Sequence, residues 1–138
     1  MSNQHKNKTL ATFLCLFFGS LGAHRFYLYG KRDHYAWLHL ISLPFSYFLA
    51  KLYFNLDPFY TYSPWLLSLL IAMFISLILG LKSDENWDAQ FNPHSGSKSD
   101  STWILALLLV FAVGAGAIIL IGIMARGFDL MYTGGAYG

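Results

Sequence analysis

The stretch GSLGAHRFYLYGKRDHYAW, residues 19–37, joins two apolar runs and crowds glycines, aromatics and cations into one short connector. Gly19, Gly22 and Gly30 bracket it, as expected where backbone turns sharply or comes close to a neighbour. Between them Phe26, Tyr27 and Tyr29 suit a water–lipid boundary, while Arg25, Lys31 and Arg32 can meet anionic headgroups. On this reading the connector is an interfacial anchor that sets the depth of a membrane hairpin.

The rest of the chain fits that reading. Of 138 residues 56% are hydrophobic and 12% charged, where soluble domains carry about 25% charge. A net charge of +2, from scattered cations, excludes a nucleic-acid footprint. Cys15, the single cysteine, allows no internal disulfide and reads as a small packing residue. Apolar runs occupy residues 9–23, 35–54, 64–81 and 103–125. Crossing a core of about 30 Å takes roughly 20 helical residues, so the second, third and fourth runs can each span. The first is short. It either continues helically toward Phe26 and Tyr27 or enters without crossing, as an interfacial or re-entrant segment. Its basic start and small residues ending at Ala23 also suit a signal peptide whose cleavage leaves His24 first.

The expected fold is an all-α integral membrane protein, a helical hairpin plus two further transmembrane helices, with three or four spans. Its parts are a polar N-terminus (1–8), a hairpin (9–54), an outer loop and third helix (55–81), a polar cytoplasmic loop (82–102), a fourth helix (103–125) and a flexible tail (126–138). Asp33 and Thr102 are candidate N-caps, Ser63-Pro64 a helix start, and Pro44 a kink. Small residues recur four apart, stacking on one face of each helix: Ala11, Cys15, Gly19 and Ala23; Ser42, Ser46 and Ala50; Ser68, Ala72, Ser76 and Gly80; Ala112 and Gly116. Such ridges let backbones approach closely in lipid, where no hydrophobic force joins helices. If the first run does not cross, Lys6, Lys8, Arg25, Lys31, Arg32, Lys82 and Lys98 share one side against Lys51 and Arg126 on the other. The positive-inside rule then puts the amino terminus and both polar connectors in the cytoplasm.

Chemistry is sparse. None of His5, His24, His34, His39 and His94 stands three or four residues from another on one helical face, so no local metal site is expected. A site assembled from His24, His34, Asp84, Glu85, Asp88 and His94 across the connectors is the weaker alternative. No phosphate-cradling loop or nucleophile elbow is present. The acidic cluster Asp84, Glu85 and Asp88 surrounds Trp87 and can dock, with Phe91, against Arg25, Lys31 and Arg32 of the first connector; the alternative is a solvated linker. These features lead to a non-enzymatic module without cofactor or metal, a scaffold or accessory subunit whose partners are the bilayer and other membrane subunits or itself. The alternative is a homo-oligomeric channel or transporter.

KNKTLATFLCLFFGSLGAHRFYLYGK, residues 6–31, resembles the TM-2 domain family, two-helix membrane hairpins whose short connector bears a D/H-R-F-Y signature. The matching positions are Lys8, Gly19, Gly22, Ala23, His24, Arg25, Phe26, Tyr27 and Gly30. His24 stands where animal members carry Asp, as in bacterial forms, and Tyr29 replaces a direct step from an apolar residue to Gly30. Residues 80–93, GLKSDENWDAQFNP, are similar to a segment that follows the hairpin in some bacterial relatives. The resemblance implies residence in a bacterial inner membrane and a cytoplasmic connector, and it carries no reaction.

Overall fold

The computed structural model describes residues 4–138, and every regular element among them is helical. Helix α1 (Lys8–Phe18) begins where the Asn7 side chain accepts the Leu10 N–H at 3.0 Å. Its 11 residues extend only about 16 Å, half of a hydrocarbon core of about 30 Å. The chain then reverses through a 3-10 turn, Gly19–Leu21, closed by Gly22 at φ 78°. Helix α2 (Ala23–Tyr29) runs back beside α1, because its Tyr27 takes hydrogen bonds from Lys6 and Asn7, just ahead of the α1 start. The segment expected as an interfacial turn is therefore a helix, and the reversal lies earlier, at residues 19–22. Gly30, at φ 81°, ends α2.

Helix α3 (His34–Leu52) starts after Asp33, which occupies the N-cap position, and continues through Pro44. Asp57 caps the single turn α4 (Pro58–Thr61). In α5 (Ser63–Leu81) Pro64 falls in the first turn, where its missing N–H leaves no bond unmade. Ser83 caps α6 (Asp84–Phe91), and α7 (Trp103–Thr133) ends on left-handed Gly134.

Side-chain partners fix the packing. α3 lies antiparallel to α5, with His39 against Ser68 and the Trp65 N–H on Ser46 Oγ. α7 is antiparallel to α5 on another face: a Cβ at Gly80 would meet Leu109, and one at Gly127 would meet Phe59. α1 covers only one half of α5; Thr12 lies beside Gly80, and the Cys15 thiol donates to the carbonyl of Ala72, at the middle of α5. The small residues expected at seams are there: Ala11, Cys15, Ser42, Ser46, Ser68, Ala72, Ser76 and Ala112 are buried, as is Gly80, and Gly116 faces Met73.

Large apolar side chains point outward instead: Phe48, Leu67, Phe74, Val110 and Ile118 are all more than half exposed. In water such an apolar belt would be a severe liability, whereas in lipid it is the solvated surface. Among the described residues α5 and α7 are the two helices long and apolar enough to cross a membrane, and only 11% of the most apolar stretch of α7 is buried, unlike the core helix of a soluble protein. α3 matches α5 at 19 residues, but His34, His39 and Lys51 dilute its apolar character.

Candidate functional site

The most constrained point is the reversal at residues 19–22. A Cβ at Gly19 would lie 2.6 Å from the Ala72 Cβ, and one at Gly22 would lie 2.6 Å from the Ala36 carbonyl oxygen. The turn is thus wedged between α5 and α3 with no room for a methyl group. Ser68 ties it down: its hydroxyl donates to Ser20 O at 2.8 Å and meets His39 Nδ1 at 2.6 Å. A hydroxyl has one hydrogen, already given to Ser20, so His39 must donate from Nδ1. His24 packs edge-on against His39, ring centroids 5.8 Å apart. It is only 1% exposed, and neither of its ring nitrogens has a partner among the described residues.

The residues after His24 each find an internal partner. Arg25 donates from Nε and Nη2 to the carboxylate of Asp33, at 2.5 and 3.2 Å, and its guanidinium stacks on Tyr29 and Tyr35. The Arg25 hydrogen bond, ahead of the cost of desolvation, holds the Asp33 carboxyl below the usual range. Phe26 packs edge-on against Trp37 at 5.4 Å. Tyr27 accepts the Lys6 ammonium on its carbonyl and the Asn7 N–H on its hydroxyl, both at 2.8 Å. Ala23 opens α2 and Gly30 closes it. Gly-Ala-His-Arg-Phe-Tyr therefore works as a set of clamps on a half-length hairpin, and residues 4–52 match the TM2 domain family.

Over those residues the chain is similar to a TM2 domain. The match takes in the amino-terminal segment, the α1–α2 hairpin and all of α3, and leaves α5, α6 and α7 outside. No match was found among curated proteins or among solved structures. Because α1 and α3 both pack on α5, the domain's buried face is completed by a helix beyond its own boundary.

Beyond α5, helix α6 docks on the matched segment through Trp87, which is fully buried. Its indole N–H donates to Lys6 O at 2.8 Å and its ring packs against Phe91; with Ala11, Cys15 and Leu79 it forms a buried cluster on which Tyr27 and Leu28 pack. Phe91 in turn meets Tyr29. The expected aromatic contact between the two connectors is present, but the charges pair differently. The buried Lys8 ammonium bonds the Lys82 carbonyl at the end of α5 and the carboxylate of Asp84 in the first turn of α6. A cation at a helix C-terminus and an anion at an N-terminus are both stabilised by the helix dipoles. Asp84 is held below its ordinary pKa first by Lys8 and then by Ser101. Asp88 is lowered to about 2, chiefly by the Ser99 N–H and hydroxyl and by Asn92. Lys31 and Arg32 are exposed and form no ion pair among the described residues, and Glu85 is exposed as well.

Sequence reasoning missed Asn92, a buried bridge that takes the Lys6 N–H at 2.6 Å and donates to Lys6 O and Asp88. It also missed His5, which bonds Ser95 and Ser99. Asn92 and Lys6, like His5 and its two serines, lie 86 to 94 residues apart in the chain, and no local spacing announces them. His34 and His94 are exposed, and among the described residues no three of His, Cys, Asp and Glu form a metal-holding group.

Proposed function

We propose that this chain is a non-enzymatic, three-span membrane module serving as a scaffold or accessory subunit of a larger assembly. α3, α5 and α7 alternate in direction and cross; the α1–α2 hairpin dips in from the cytoplasmic side and returns. The end where Lys6, Lys8 and α6 meet collects seven of the nine Lys and Arg residues, leaving Lys51 and Arg126 for the other. That asymmetry supports a cytoplasmic amino terminus. In a Cys15→Ala background, cysteines placed at Gln4 and Ser97 are expected to react with an impermeant maleimide from the same face of sealed vesicles, and one at Tyr137 from the opposite face. Gln4 labelling together with Tyr137 would mean that the first run crosses.

The scaffold reading is carried by α7, whose 31 residues form the longest helix and the least covered. Ser68, Asp33, Asp84 and Asp88 of the turn and connectors are bonded within the chain, whereas Gly114 and Gly122 on α7 have open space where a Cβ would stand. Small residues on an uncovered face permit close approach of another helix. Crosslinking in native membranes, then mild-detergent purification and mass spectrometry, tests this: a defined membrane partner crosslinked through α7 is the expected result. Recovery with itself alone would replace the accessory role by a homo-oligomer, to be assayed for flux in vesicles.

A further inference from the structure

Away from α1 and α7, helices α3 and α5 leave an open cavity of about 580 Å³ between them, well within the roughly 300–1,000 Å³ of small-molecule sites. Leu38, Ile41, Phe45, Leu67 and Ile71 line its length, and Arg25 and Tyr35 stand at one end. From Tyr35 to Phe45 it follows α3 for about 15 Å at ~1.5 Å per residue, the depth of one leaflet of a core of about 30 Å. Its polar floor is already satisfied: Ser42 donates to His39 O, and His39 and Ser68 bond each other. Arg25 is different. Asp33 takes its Nε and Nη2, leaving Nη1 without a hydrogen-bond partner among the described residues. Lys31 and Arg32 follow close by in the chain, exposed and unpaired among those residues. With Asp33 cancelling Arg25, this end of the groove keeps two uncompensated cations beside an apolar trough.

We propose that the groove holds one acyl chain of an anionic phospholipid, its phosphate against the free edge of Arg25 and in the field of Lys31 and Arg32. A guanidinium presents a planar fork suited to phosphate oxygens even while one edge is occupied. Exposed cations at the membrane surface add attraction for anionic lipid that a zwitterionic headgroup does not receive. The site rests on the membrane residence of α3 and α5 and not on the scaffold role.

The test is native mass spectrometry of the full chain in mild detergent, after exchange against equal phosphatidylglycerol and phosphatidylethanolamine of matched chains. One phosphatidylglycerol per chain is expected, favoured by roughly tenfold. Ile71→Trp, which fills the trough from a partly exposed position, should abolish retention of both lipids. The double variant Lys31→Gln/Arg32→Gln, whose exposed side chains form no hydrogen bond or ion pair among the described residues, should keep the fold and lose most of the preference. Equal retention of the two lipids, or full retention by Ile71→Trp, overturns the proposal. Displacement of phosphatidylglycerol by equimolar free fatty acid overturns the phospholipid assignment.

Discussion

Replacing Gly22 by Ala is expected to destabilise the purified protein by about 2–5 kcal/mol in mild detergent, combining a backbone and a packing effect. Gly22 sits at φ 78° and ψ 13°, the left-handed region, which costs an L-residue about 1–2 kcal/mol. Its added methyl would also stand 2.6 Å from the Ala36 carbonyl and 3.1 Å from the His39 Cβ. The first obstacle is backbone of α3 and cannot rotate aside; overpacking of this kind costs roughly 1–3 kcal/mol more. Gly96→Ala supplies the control: that glycine also has positive φ, at 66°, but nothing lies within 4 Å. Only the conformational part should be lost there. Unfolding followed by near-ultraviolet circular dichroism reads both variants. A penalty at Gly22 no larger than at Gly96 would mean that the turn does not press against α3 and that the half-length hairpin is loosely held.

That turn also marks where the sequence stops being legible. The seams could be read in advance because small volume at a spacing of four is a local property: Ser68, Ala72, Ser76 and Gly80 can share only one face of a helix, and all are buried. The point of reversal is not local. Nothing in the first apolar run says that the chain turns at Gly19 rather than after Tyr29; that depends on Ala72 offering a site where only a glycine fits. Charge pairing fails for a related reason. Arg25 could have met Asp88 across the connectors, but Asp33 lies eight residues away on a chain that already folds back, and it takes the fork first. Lys8 reads as a solvated N-terminal cation until the short α1 leaves it on the same side as Asp84. The aromatic half of the docking was readable, since Trp87 and Phe91 are large apolar groups in an otherwise polar segment with few other places to go.

Trp87 therefore separates a docked α6 from a solvated linker most sharply, and Trp87→Ala is expected to cost about 3–5 kcal/mol. The indole is 0% exposed, packs at 4.5 Å against Phe91 and donates to the Lys6 carbonyl. Removing it empties the space beside Phe91 and takes away one of the two donors to the Lys6 carbonyl, leaving only the Asn92 amide. Trp87→Phe keeps much of the ring contact and loses the N–H, so its expected cost is nearer 1–2 kcal/mol, a hydrogen bond plus a small void. The local consequence follows from who else is held there. Lys6 and Asn7 reach Tyr27, and Lys8 reaches Asp84, so loss of the indole loosens the strap that keeps the amino terminus beside α6. In vesicles that expose the amino-terminal segment to the outside, that segment of Trp87→Ala should become sensitive to added protease, with Trp87→Phe remaining protected. A solvated linker would behave otherwise: an exposed residue changed to Ala moves stability by no more than about 0.5 kcal/mol, and both variants would then match the parent in melting and in proteolysis.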